Sequence, residues 1–439
     1  MTFARRVGCA TAFILLVGGG AASAGPSPTT RPSVTPVLDP DPAVMKIIDG
    51  LGDGESAVLP KLRTAGDLND VARHYNMHVR GPGARDYCIK MVWMPDRKRA
   101  VYYGANHGAP HRTNDVWEYD LPSNTWVCLY GPDLLRGAAN WAKYLDRETL
   151  KTGIPRTKRG GPAVNGHAWW QLAYDPHLGA MLTFCSWSMV PGEVREAQKR
   201  GSHKPPFWAF RAEQRQWQPI TGSTFKGRRP RYHNASALEY VPDLGGTVWC
   251  ANSWANRGMW LYDSRTNTWT DLKPNGGDKK DFQRNAPGSE QVMVYAPDRK
   301  MLIAHLARAD RKTKKVSGAT TQYSVEKNRW DRTVSAKADA TADPPMPPGF
   351  DASTNFAYDR VGRVALLWDP GTTKALWAYD PDTTTWTRLA PKGPPPPGGR
   401  DAKLAFYDAA RNVFVIPGKW VYRHRRRAPA RPADTGQRP

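Results

Sequence analysis

Trp260-Leu261-Tyr262-Asp263-Ser264-Arg265-Thr266-Asn267-Thr268-Trp269 is the stretch whose reading decides the fold. An aromatic stands in third place, six residues follow it, and a tryptophan closes the frame. The same frame runs from Trp117 through Tyr119 to Trp126 and from Trp208 through Phe210 to Trp217. It returns at Tyr323 and Trp330, and from Trp377 through Tyr379 to Trp386. A sixth copy, Trp420-Val421-Tyr422, begins and then runs into Arg423-His424-Arg425-Arg426-Arg427. Turn formers such as Leu121-Pro122-Ser123-Asn124 fill the middle, so each frame reads as two strands joined by a tight polar turn.

Ahead of each frame lies a second hairpin. Its first strand ends in Trp93, Tyr174, Tyr240, Tyr295, Tyr358 or Tyr407, and a turn such as Pro95-Asp96-Arg97-Lys98 leads into a β-rich strand such as Ala100-Val101-Tyr102-Tyr103. Four antiparallel strands repeated around an axis make propeller blades, so the chain reads as all-β. Six blades are expected, near 86–130, 167–221, 233–274, 288–334, 351–391 and 400–424, within one domain over 42–424. Seven is the alternative, because the interval from Trp126 to Trp217 is long. Asn140-Trp141-Ala142-Lys143-Tyr144-Leu145-Asp146 in that interval reads instead as a short helical insertion between the first two blades. After Tyr422 the chain turns cationic and supplies no fourth strand to the last blade. The stretch 55–61 resembles Thr268–Pro274 in pattern, so the N-terminus is expected to close the ring and remove an open edge.

The Tyr-Asp-x5-Trp frame resembles the kelch repeat of the kelch and galactose-oxidase-central-domain superfamily, over about Arg85 to Tyr422. The resemblance implies the propeller and is specific for fold rather than for activity. The paired glycines that kelch repeats carry after the second strand are replaced here by Gly104-Ala105, Cys185-Ser186, Cys250-Ala251 and His305-Leu306. The tyrosine–cysteine arrangement of the copper oxidases of that class has no counterpart, so their activity is not carried over.

Arg5 and Arg6, an apolar run to Val17 and the closing Ala22-Ser23-Ala24 form a cleavable export signal over 1–24. The apolar run is too short to span a bilayer, and no other candidate span occurs. A Pro/Ser/Thr-rich linker over 25–41 and a basic tail over 425–439 read as disordered. Export predicts a secreted or periplasmic monomer. Four cysteines remain in the mature chain, Cys88, Cys128, Cys185 and Cys250, an even number that an oxidising compartment allows to pair. Formal net charge is +23. Outside the cell that field points to an anionic glycan or cell-wall polymer and away from nucleic acid.

In an antiparallel four-stranded blade, the strand one–two and three–four turns share one face. The two–three and blade-to-blade connections share the other. The first set is tight here and the second is long, for example Ser186–Pro206, Ala307–Thr320 and Gly131–Gly166, so the second face is expected to carry the site. Seven positions before each first-strand aromatic stand Asp86, His167, His233, Gly288, Asp351 and Arg400, expected to ring the channel mouth. Asp86, His167 and His233 are the metal candidates, two imidazoles and a carboxylate for a divalent ion. No cofactor is otherwise implied. Cys185, Cys250 and His305, at near-equivalent second-strand ends, form a weaker zinc set. His107, His111, Trp254, Arg257 and Arg284 complete the binding residues.

Three functions fit this pattern. The first is binding of a uronate-containing or sulfated glycan on the basic long-loop face. The second is a polysaccharide lyase, in which Arg231 neutralises the uronate carboxylate while Tyr232, His233 and His167 serve as base and acid. The third is an extracytoplasmic protein–protein module, which favours an apolar patch over a cationic one.

Overall fold

Each frame aromatic faces its tryptophan across one hairpin. Register pairs Tyr119 with Trp126, Phe210 with Trp217, Tyr262 with Trp269, Tyr323 with Trp330 and Tyr379 with Trp386. Ring centroids lie 5.0 to 5.4 Å apart in all five pairs. Directly opposed aromatics are the unit that stabilises an antiparallel pair, which explains why six residues separate them every time.

The computed structural model describes residues 38–425 apart from 86, 106–111, 186–189, 202–204, 231–234, 253–256, 310–311, 313–315, 334–345, 348–353, 372 and 400–401. The export signal, nearly all of the linker and nearly all of the tail read from the sequence lie outside the described residues. The hairpins assemble into six blades. Blade one holds Met91–Met94, Arg99–Tyr103, Val116–Asp120 and Thr125–Tyr130. Blades two to five repeat that order, starting at Leu172–Asp175, Ala237–Val241, Val292–Ala296 and Asn355–Asp359. Blade six consists of Phe406–Asp408, Val413–Ile416, Trp420–Tyr422 and, outermost, Ser56–Val58 from the N-terminus. First strands lie side by side around the axis, and blade six meets blade one.

The N-terminal strand runs antiparallel to the last one, with Ser56 opposite Tyr422 and Val58 opposite Trp420. Gly54 N–H donates to Arg423 O at 2.8 Å and Leu59 N–H to Lys419 O at 3.0 Å. The same segment is held on its other side, where Ser56 N–H donates to Lys392 O at 2.8 Å. Two short strands were not legible in the repeat: Arg63–Gly66 adds in parallel to blade one, and Thr224–Lys226 adds in parallel to blade three. A helix, Ala138–Tyr144, occupies the connection between blades one and two. Among the described residues no helix is long and apolar enough to cross a membrane.

Tyrosine hydroxyls stitch neighbouring blades together. Tyr174 of blade two donates to Asp96 in the first turn of blade one at 2.5 Å, and Tyr358 of blade five donates to Asp298 of blade four at 2.6 Å. Tyr295 of blade four likewise donates to Asp243 of blade three. Burial and the adjacent carboxylate push all three phenols well above their ordinary value, so they act as fixed donors.

Blades four and five share a buried histidine. His305 Nε2 lies 2.8 Å from the carbonyl of Pro347, to which it donates, and Nδ1 lies 3.0 Å from the Thr320 hydroxyl. Burial favours the neutral ring; with Nε2 donating to the carbonyl, Nδ1 then accepts from the Thr320 hydroxyl, which also accepts from Trp386 Nε1 at 2.9 Å. Burial depresses the imidazole from 6.5 to about 4. A group that charges less readily folded than unfolded contributes stability at pH above 6.5 and loses it as pH falls towards 4. The gap corresponds to about 3 kcal/mol. Chemical denaturation at pH 7.5 and pH 4.5 should show that loss, and His305→Gln should flatten this part of the profile. An unchanged profile in the variant would remove His305 as its source.

Candidate functional site

Around the axis all six blades contribute side chains, and contacts cross it. Trp170 of blade two reaches over to blade four, where its indole N–H donates to Met293 O at 2.5 Å. Lys90 of blade one reaches to blade three, where Nζ lies 2.6 Å from both Glu239 Oε2 and Leu238 O. The ammonium also sits 5.3 Å above the Trp170 ring. Burial pulls Lys90 down and pushes Glu239 up, and each charge opposes the shift of the other. On the tight-turn side of these contacts the axis opens into a well.

At the long-loop mouth, His167 is 4 % exposed and stacks on Tyr87 at 4.5 Å, with Trp169 edge-on at 5.3 Å. The blade entries bend sharply there. Tyr87, Trp169, Ala235 and Glu290, at the entries of four successive blades, have φ of 62°, 49°, 65° and 69°. Left-handed backbone in residues other than glycine stores strain of about 1–3 kcal/mol each, and such strain gathers at functional sites. Inter-blade hydrogen bonds hold the bends: Trp169 N–H donates to Tyr87 O at 2.7 Å and Glu290 N–H to Ala235 O at 2.9 Å. Among the described residues the buried indole N–H of Trp169 has no acceptor. Beneath the mouth, Arg85 and Asp115 form a fully buried ion pair at 2.5 Å, and Trp117 Nε1 donates to the same carboxylate at 2.6 Å.

A helical lobe flanks this mouth. It is built from the connection between blades one and two together with the strand two–three connection of blade two, which carries the helix Gly192–Arg200. Leu135, Trp141, Leu145, Val164, Val190 and Val194 give it a small core of its own. The segments 131–166 and 185–206 carry eleven Lys and Arg against five Asp and Glu. Arg136, Lys143, Lys151, Lys158, Arg195 and Lys199 are exposed there, so the lobe presents a cationic surface beside the channel.

Of the residues singled out by sequence, the structure places His167 at the mouth but buried in an aromatic stack, not on a wet rim. Asp86, His107, His111, Arg231, Tyr232, His233, Trp254, Asp351 and Arg400 lie outside the described residues. Arg257 was expected in a loop; it is the first residue of the strand Arg257–Asp263, paired with Asn252. Arg284 is exposed on the helix Lys279–Asn285, which packs on the third strand of blade three and the outer strand of blade four, so it belongs to the rim rather than the mouth. Ala307–Thr320 is mostly paired hairpin, with Ala307 opposite Gly318 and Ala309 opposite Val316.

All four described cysteines are buried thiols. Burial pushes the Cys250 thiol to about 12 and Cys185 higher still, which removes thiolate chemistry at neutral pH. Cys185, Cys250 and His305 stand in three different blades, and both His305 nitrogens are already engaged. Among the described residues no group of three His, Cys, Asp or Glu is placed to hold a metal ion.

No family model matches the chain, and no curated protein does. Solved structures similar to it include TolB from Acinetobacter baumannii, 12% identical, covering 69% of this chain and 54% of that one at a TM-score of 0.34. The GH74 xyloglucanase from Xanthomonas campestris is 14% identical over 76% and 42%, at 0.37. The GH74 enzyme from Niastella koreensis is 10% identical over 78% and 53%, at 0.38. The chain thus spans about half the length of these proteins, and likeness at this level carries no reading of activity.

Proposed function

We propose that this chain is an exported kelch-type propeller that binds an anionic glycan across the long-loop mouth, between the basic lobe and the axis. The observation that carries the reading is the run of strained blade entries at the mouth. They hold the half-buried Tyr87 where a sugar ring can stack, and beside it Trp169, whose buried indole N–H no described acceptor satisfies. The neighbouring cationic lobe supplies counter-charge for carboxylate or sulfate groups. A binding site asks for no more than this. Of the four residues the lyase reading calls on, His167 alone is among the described ones, and its aromatic neighbours cover it.

Titration calorimetry with oligogalacturonate and with a sulfated glycosaminoglycan fragment tests the proposal. Affinity should fall several-fold between 50 and 300 mM salt, because exposed charges are screened beyond about 10 Å at 0.1 M. Trp169→Ala and Arg257→Ala should each weaken binding about ten-fold, while His167→Ala should change it modestly with no turnover in the wild type. Binding indifferent to salt and to both variants would overturn the reading. Release of unsaturated uronate products that His167→Ala abolishes would replace binding with elimination.

A further inference from the structure

The opposite end of the channel holds a cavity, although the turns around it are short. Below the cross-axis contacts lies a well of about 330 Å³, within the range of small-molecule pockets. Trp93, Tyr174, Tyr240, Tyr295, Tyr358 and Tyr407 line it, one aromatic from the end of each first strand, and Pro95, Pro176 and Pro242 in the first turns form its rim. We propose that this well binds a single uncharged sugar ring, independently of the long-loop mouth.

Three features select that chemistry. The walls offer apolar ring surface rather than donors, because the hydroxyls of Tyr174, Tyr295 and Tyr358 are engaged by turn aspartates and Tyr407 donates to Asn412 at 2.6 Å. Such walls suit the C–H surface of a pyranose. The floor is polar: Lys90 and Glu239 meet there at 2.6 Å, and the glutamate side chain is 21 % exposed while the lysine is 6 %. The carboxylate can therefore accept from vicinal hydroxyls. An ammonium has three N–H groups, of which Leu238 O and Glu239 Oε2 take two. Finally, the two floor charges cancel, so a charged ligand finds no counter-ion at depth and loses its hydration without return. Arg360 stands at the rim, exposed to water. The Lys90–Glu239 pair floors the well, which suits a free sugar or the end of a chain.

Saturation-transfer NMR and calorimetry on the full chain, with a panel of neutral mono- and disaccharides, test this. At least one neutral sugar should bind with an affinity unchanged between 50 and 300 mM salt. Tyr240→Leu and Glu239→Gln should each lower that affinity about ten-fold or more, with melting curves confirming that both variants fold. Tyr240 is only partly buried, so its variant stays informative if Glu239→Gln proves unstable. Trp169→Ala should leave this binding intact, which separates the result from that of the long-loop site. Absence of binding by every neutral sugar, or binding indifferent to both well variants, would overturn the proposal. So would binding lost with Trp169→Ala, or selective capture of an organic cation in place of sugar.

Discussion

Replacing Trp269 with alanine should lower the unfolding free energy by about 3–5 kcal/mol, as expected for a fully buried large aromatic. The indole is 1% exposed. It stands 5.0 Å from Tyr262 in its own hairpin, and 5.1 and 6.2 Å from Phe207 and Phe184 of blade two. Truncation therefore opens a void between two blades, where neither sheet can close it alone. Equilibrium denaturation measures the loss, and a change below about 1 kcal/mol would mean that the ring tolerates a gap at this seam.

Removing residues Gly54 to Leu62 should cost at least as much. The segment contributes the outer strand of blade six, its backbone bonds to both Lys419 and Lys392, and Leu59, which is 5% exposed. Burial of one leucine at about 1.5–3 kcal/mol and several net hydrogen bonds of about 1 kcal/mol each sum to roughly 5 kcal/mol. The deletion also leaves Trp420–Tyr422 as an open edge, so the melting temperature should drop sharply and aggregation should rise. Truncation after Arg427 should change little. Equal tolerance of the two deletions would overturn this account of closure.

The blades were legible because their signal is local. Tyr262 and Trp269 are seven residues apart in sequence and face each other in one hairpin, so a fixed spacing carries the whole contact. The cross-axis contacts have no such spacing. Lys90 meets Glu239 and Trp170 meets Met293 only once the ring has formed, and no periodicity in a first strand marks a charge that will be paired two blades away. Arg63–Gly66 and Thr224–Lys226 escaped notice for a related reason: single strands added in parallel to an outer edge need neither alternation nor a turn. Arg257 was misplaced because Asn252 and Arg257 extend a hairpin beyond its apolar stretch, where composition resembles a loop. The long-loop face drew attention by its length and charge. The tight-turn face, with one aromatic per blade, was visible as a repeat but read only as alignment.

The pairing of Ser56 with Tyr422 also orders events in the life of the chain. Synthesis delivers the first of these strands long before its partner, so the sixth blade forms only after the other five have been made. Until then the outer edge of that blade stays unpaired and the inner strands have no closed circle to pack in. The slow step of closure is then the meeting of two segments far apart in sequence rather than the making of any one hairpin.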